Sequence, residues 1–279
     1  MLVGKTFWKG LVLPNLLFGV DIIPYRKGDL LKLQSYENKA YRTILGVPRY
    51  TAVEFLRGEI GASSALARDA KNKILFLKHA LQSENNSMLA EIATNDIQGK
   101  VTRWAAVTKK YLRELNLSLE QVQAFHKDAI EKRIYEWDCK QWKEKMNMRS
   151  TLKMYSKFKN HPQEVKWFRN GQRYFNMMRA RSNTLKLGWR EFEKDSNKIC
   201  KICSKGEIET LKHFILECVE LQETRNKYIL LQLPRIANDD KLMQKILLFE
   251  IDNETNFQEM IEIVNLLWQK RNRLIEQLN

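Results

Sequence analysis

The stretch GDLLKLQSYENKAYRTILGVP, residues 28–48, sets the expectation for the fold. Its side chains Leu30, Leu33, Tyr36, Ala40, Tyr41, Ile44 and Leu45 recur at three- and four-residue steps, the period of a helix with one apolar face. Gly28-Asp29 opens this helix and Gly46-Val47-Pro48 stops it, because glycine accepts the left-handed cap conformation and proline cannot continue the hydrogen-bond ladder. The same reading extends outward. Thr51 and Glu54 have the spacing of a capping box, for a short helix ending at Gly58. Ser63 or Ser64 caps a helix that buries Leu66, Ala70, Ile74, Leu77 and Leu81. A helix near 100–115 follows. Ser118 and Gln121 then form a second capping box, starting a long helix with Val122, Phe125, Ala129, Ile130, Ile134 and Trp137 along one side.

His161-Pro162 interrupts the pattern, and three more helices are expected near 219–232, 238–249 and 256–277. Pro234 separates the first two, Asp252-Asn253 introduces the last, and Asp239-Asp240 reads as a solvated helix cap. With only 5 prolines and 11 glycines in 279 residues, and few alternating runs, the chain is predicted to be mainly α rather than a sandwich or barrel. The expected order is a helical unit over 1–85, a basic helical connector over 86–195, a Cys/His unit over 196–222 and terminal helices over 223–279. The polar run at 82–87 marks the first boundary.

Residues 11–23, LVLPNLLFGVDII, are apolar, but Lys9, Pro14, Asn15 and Asp21 interrupt the run and no small-residue cleavage pattern follows. They are read as a buried core helix of an intracellular protein, nuclear or cytoplasmic, that does not enter a membrane.

Charge is distributed unevenly. The whole chain carries +15, from 48 Lys and Arg against 33 Asp and Glu. Residues 140–190 alone hold 14 basic and 2 acidic side chains, whereas residues 191–279 are slightly acidic. Interleaved with those cations are Trp142, Tyr155, Phe158, Trp167, Phe168, Tyr174, Phe175 and Trp189. Cations release counterions from a phosphate backbone and aromatic faces stack on unpaired bases, so the segment points to nucleic acid. Lys153, Lys157, Lys159, Arg169, Arg173, Arg179 and Arg181 are the expected phosphate contacts, and Trp167, Phe168 and Tyr174 are expected to stack or pack. Each aromatic taken singly also reads as a core residue.

One motif has specific chemistry. Cys200-Lys201-Ile202-Cys203 is followed by His213 and Cys218, a C-x2-C-x9-H-x4-C pattern. Three thiolates and an imidazole are the donor set of tetrahedral zinc, and a closed set of four leaves no place for a reacting water, so one structural Zn2+ is expected. A disulfide, unrelated thiols, or buried cysteines beside a surface histidine are the other readings of these residues. His213 and Cys218 are five residues apart and cannot share a face of a regular helix, so a helix from about Glu209 should end just before Cys218. Cys139 reads as a half-buried residue of the long helix, and His79, His126 and His161 have no partners at ligand spacing. Gly4-Lys5-Thr6 lacks the residues that would make it a phosphate-binding loop. No nucleophile elbow, dinucleotide fingerprint or kinase motif is present, and no catalytic residue is assigned.

The zinc pattern, preceded by Met177-Met178-Arg179-Ala180-Arg181-Ser182-Asn183 and carrying Glu209-Thr210 before His213, resembles the C-terminal segment of LINE-type (non-LTR) retrotransposon reverse transcriptases. Leu13 through Asp21 (LPNLLFGVD), Asn38 through Pro48 (NKAYRTILGVP) and Glu59-Ile60-Gly61 resemble the polymerase thumb of that family. The resemblance covers residues 8–82 and 175–220 and matches the middle only in length and basicity. It implies a helical thumb over 1–85 and a CCHC zinc knuckle on Cys200, Cys203, His213 and Cys218. It also implies binding of template RNA or RNA–DNA hybrid, with the polymerase palm as a partner within a longer protein. The family's catalytic aspartates precede the thumb and have no counterpart here, so this chain is expected not to polymerise. The other expectation is a zinc-stabilised adaptor for a protein partner, using an apolar stripe of Ile261, Val264, Leu267, Trp268 and Ile275.

Overall fold

The computed structural model describes residues 2–82, 87–99, 102–165, 174–188, 198–227, 238–249 and 257–278. It is mainly helical, and among the described residues the only β pairing is a single antiparallel bridge between Ile199 and Ile208. The helices are α1 (Leu2–Phe7), α2 (Leu13–Leu16), α3 (Lys27–Leu45), α4 (Val53–Ile60) and α5 (Ala65–Gln82). After them come α6 (Ser87–Gly99), α7 (Arg103–Glu114), α8 (Leu119–Ala124) and α9 (Lys127–Asn147). The remainder are α10 (Lys153–Phe158), α11 (Phe175–Arg181), α12 (Gln222–Arg225), α13 (Asp239–Ile246) and α14 (Phe257–Leu278).

α3 forms as its period dictates. Leu30, Tyr41 and Leu45 are buried, and Gly46 caps the helix at φ +63°. Tyr36 departs from the expected stripe and is 62% exposed, because the inward positions beside it are Glu37 and Asn38. Glu37 faces inward to pair with Arg68 of α5. The expected capping box at Thr51 does not form. Ala52 occupies the cap of α4, Thr51 is buried, and Glu54 instead reaches Arg149 at 3.2 Å. α4 also runs past Gly58 to a left-handed Gly61. Gly58 lies within the helix because a neighbour occupies its side-chain space: a Cβ there would sit 2.2 Å from the Tyr155 hydroxyl.

Ser64 caps α5 by accepting from the Ala67 amide, and Ala70, Ile74 and Leu77 lie fully buried on one side. Ser118 and Gln121 form their reciprocal box as expected. The helix they start is short, however: backbone at Phe125 turns extended, and His126, which has no partner at ligand spacing, caps α9 by accepting from the Asp128 amide.

The described helices pack around two cores. One core joins α5, α6, α7, α8 and the first half of α9, through Ile74, Leu77, Ile97, Leu112, Val122, Ile130 and Ile134. The other joins α3 and α4 to the second half of α9 and to everything described beyond it, through Leu45, Phe55, Ile60, Trp142, Met146, Met178, Phe214, Val264 and Leu267. α9 belongs to both because its 21 residues outspan either core. α5 and α6 pack on each other across the polar run that separates them in sequence. Buried ion pairs cross-link distant elements, Arg57 to Asp138 at 2.8 Å and Arg181 to Glu59 at 2.8 Å, while Lys73 pairs with Asp69 at 2.5 Å one turn away within α5.

Residues 11–23 are not a buried helix. α2 stops at Leu16, Gly19 turns the chain at φ +70°, and Phe18 is 86% exposed. The segment is held by its backbone: Lys73 donates to the Val20 and Ile23 carbonyls at 2.7 and 2.9 Å, and Trp104 donates to Asp21 O at 2.7 Å. No helix among the described residues is long and apolar enough to cross a membrane.

Candidate metal centre and basic surface

Cys200 and Cys203 sit on a short hairpin. The Cys200 amide bonds Glu207 O and the Glu209 amide bonds Lys198 O, both at 2.8 Å, around a left-handed Gly206. Thr210 Oγ1 then accepts from the His213 amide at 3.0 Å. The residues from His213 to Glu217 form a π turn, closed by the Cys218 amide on His213 O at 2.7 Å. An i→i+5 turn resolves the spacing problem, since residues five apart then return to the same side. The expected break just before Cys218 is present, at the end of this turn.

The four side chains converge. All four are buried, and their ligand atoms lie within 4.8 Å of one another. Cys200 Sγ and Cys218 Sγ are 3.9 Å apart, and Cys203 Sγ is 3.5 Å from His213 Nε2. The cluster could hold one metal ion. Contact with Cys218, followed by burial, pushes the Cys200 thiol up, while the same contact lowers Cys218. Ligating thiols bind metal as thiolates, so metal binding here would be coupled to proton release. Glu207 carries no signal in the spacing pattern. Its Oε2 stands 2.8 Å from His213 Nδ1, off the line of an N–H bond, where a carboxylate can orient a ligating imidazole.

The Cys/His unit is not free-standing. Phe214 and Ile215 enter the larger core, and Phe214 meets Trp268 edge-on at 6.0 Å. Glu209 is buried, accepts the Gly188 amide at 2.8 Å, and binds Arg271 of α14 through two bonds of 2.6 and 2.7 Å. The stripe of Ile261, Val264 and Leu267 is consumed in the same core, so these three do not offer a face to a partner.

The expected phosphate contacts separate into groups. Lys153 and Lys157 are exposed on α10, with Asp240 3.8 Å from Lys157. Lys159 is half-buried, donates to Gln163 O at 2.8 Å, and has its pKa lowered by burial. Arg179 is partly exposed and donates to Gly46 O at 3.1 Å. Arg181 requires correction. It is 2% exposed, paired with Glu59, donates to the Leu247 and Leu248 carbonyls, and stacks 4.1 Å above Phe249. Its charge is satisfied inside the protein and cannot reach a phosphate. Tyr174 packs rather than stacks, buried beneath Phe175 with its hydroxyl on Ile44 O at 3.3 Å. Trp167, Phe168, Arg169 and Arg173 lie outside the described residues.

The sequence reading also missed a basic cleft of about 880 Å3 at the end of α3, lined by Ser35, Lys39, Arg42, Thr43, Arg49 and Arg179. The available signal was Lys39, Arg42 and Arg49 beside the helix stop at Gly46-Val47-Pro48. No protein-family model, no curated protein and no solved structure matches the chain.

Proposed function

We propose that the chain is a nucleic-acid-binding, C-terminal portion of a LINE-type reverse transcriptase, closed by one structural zinc ion and gripping template RNA or an RNA–DNA hybrid. The observation that carries this reading is the 14-to-2 charge excess of residues 140–190. Interior pairing consumes only part of it: Arg181 is spent on Glu59, whereas Lys140, Lys145, Lys153, Lys157 and Lys186 are all exposed. Such a density of exposed cations on one protein is stabilised by a polyanion. The thumb-like stretches supply the helical frame, and a polymerase palm on the same longer chain is the natural partner.

Zinc is the ion that suits the cluster. With Zn–S near 2.3 Å and Zn–N near 2.0–2.1 Å, a tetrahedral site places two sulfurs about 3.8 Å apart and a sulfur about 3.6 Å from an imidazole nitrogen. The observed separations are 3.9 and 3.5 Å. Bound zinc would act as a crosslink: Cys200, Cys203, His213 and Cys218 hold it, and Glu207 orients the imidazole.

Fluorescence anisotropy of labelled single-stranded RNA titrated with the intact chain across a salt series tests the reading. Affinity that falls steeply with salt is expected. Absence of binding at low salt refutes it.

A further inference from the structure

The cleft at the end of α3 gathers cations without carboxylates. Several buried or half-buried cations of the protein meet carboxylates, Arg57 with Asp138, Arg68 with Glu37, Arg181 with Glu59 and Arg271 with Glu209, and others, such as Lys143 and Lys159, spend their donors on backbone carbonyls. Lys39, Arg42, Arg49 and Arg179 line one concavity, and none has a carboxylate within ion-pair distance among the described residues. Helix geometry explains three of the lining residues, since Ser35, Lys39 and Arg42 stand on successive turns of one face of α3. The Gly46-Val47-Pro48 turn then brings Arg49 round, and Gly46 O fixes Arg179 from α11.

The helix C-terminus alone does not account for them. Its last carbonyls are already capped, Thr43 O by the Gly46 amide and Arg42 O by the Val47 amide. Arg42 is anchored through Nη2 to Thr51 O at 3.0 Å, yet its Nε is buried with no hydrogen-bond partner. Burial, followed by the neighbouring Arg49, lowers the Arg42 pKa, as for a guanidinium partly desolvated beside a second cation. Three aromatic residues neighbour the lining residues in sequence or by contact. Tyr36 lies beneath Lys39, whose Nζ is 5.3 Å from the ring centroid. Tyr50 follows Arg49 and is 59% exposed, and the partly exposed Phe175 ring packs on Gly46.

We propose that this cleft binds consecutive backbone phosphates of a single-stranded nucleic acid through Lys39, Arg42, Arg49 and Arg179, with Tyr36, Tyr50 and Phe175 offering faces to the flanking bases. This rests on the nucleic-acid reading above and adds to it a site on the thumb-like helix, outside the basic connector. Anions on planar guanidinium forks and bases on aromatic faces are the two halves of sequence-tolerant strand binding.

The test is anisotropy with a fluorescein-labelled 12-mer oligo(U) and the intact chain over a salt series. Arg49→Gln is the first variant, because Arg49 is exposed and its removal leaves the core untouched. Arg42→Gln and Arg42→Lys follow, with Lys132→Gln on the exposed part of α9 as the charge-matched control. About tenfold weaker binding is expected for each Arg→Gln, with a salt slope shallower by about 0.7 for each phosphate of a single strand that is no longer neutralised. Arg42→Lys recovers the slope. Tyr50→Ala weakens binding at an unchanged slope, since stacking releases no counterions, and Lys132→Gln stays within about twofold. If the wild type binds and the Arg42 and Arg49 variants bind equally well with the same slope, the cleft assignment is overturned while the wider reading stands. If the wild type does not bind at low salt, both are overturned. Inorganic polyphosphate competing as well as oligo(U) at equal charge would overturn the role given to the aromatic rim.

Discussion

Replacing Arg181 by Met should be among the most damaging single changes in the protein, and should act on stability without touching a nucleic-acid contact. Arg181 spends its donors inside. Nε and Nη2 hold the two oxygens of Glu59 at 3.1 and 2.8 Å, and Nη1 holds the Leu247 and Leu248 carbonyls at 2.5 and 2.8 Å. Methionine fills much of the volume but leaves the Glu59 carboxylate fully buried, with the Tyr155 hydroxyl at 2.9 Å as its remaining side-chain partner among the described residues. Removing one partner of such a pair costs about 3–5 kcal/mol. At roughly 2–4 °C per kcal/mol for a chain of this size, the melting temperature should fall by about 10 °C. Urea denaturation followed by far-UV circular dichroism measures this, alongside the double variant Glu59→Leu with Arg181→Met. The double variant should regain at least half of the stability, because it strands no charge. A single variant destabilised by less than about 1 kcal/mol would refute the reasoning. A double variant no better than the single would show that packing, not a stranded carboxylate, sets the cost.

Gly58→Ala should destabilise by about 1–3 kcal/mol in the same urea assay, since its Cβ must displace the Tyr155 hydroxyl from 2.2 Å; wild-type stability would contradict the packing described. Glu209→Gln, which weakens the double bond to Arg271, should speed amide exchange across α14 while the chain retains its metal, because Glu209 is not among the ligands. Cobalt substituted into the Cys/His cluster should give thiolate charge-transfer absorption at one ion per chain, and Cys203→Ser should abolish or shift it. Chelation should lower the melting temperature of the whole larger core and not of the hairpin alone, as Phe214 and Ile215 are built into that core.

Local signals in the sequence located much of the architecture. Gly46 and the Ser118–Gln121 box mark helix ends because cap chemistry is decided within a few residues. The Cys200, Cys203, His213 and Cys218 cluster is legible for the same reason: its spacing is itself the geometry. Long-range competition hides the rest. Thr51 and Glu54 have the right spacing for a cap, but Arg149, 95 residues away in the chain, takes the Glu54 carboxylate. Arg181 stands in the most basic part of the sequence, yet Glu59, 122 residues earlier, draws it into the interior. Composition alone cannot tell a cation that is spent from one that is free. The apolar run at 11–23 misleads for a related reason: Lys73 and Trp104 hold its carbonyls, and Val20 alone of its side chains is buried, so it needs no buried helical face. The cleft at Arg42 and Arg49 needs α11 to be brought alongside α3, a contact across more than 130 residues.

The central claim is that nucleic acid lies along the larger, basic core and not on the helical unit of α5 to α8. The most direct test is photocrosslinking of a 4-thiouridine-substituted single-stranded RNA to the intact, zinc-loaded chain, with the linked peptides mapped by mass spectrometry. The account predicts crosslinks on peptides containing Tyr36, Tyr50 or Phe175 and on those from residues 140–190. Crosslinks confined to α5–α8, or none at RNA concentrations that saturate the anisotropy signal, would contradict it.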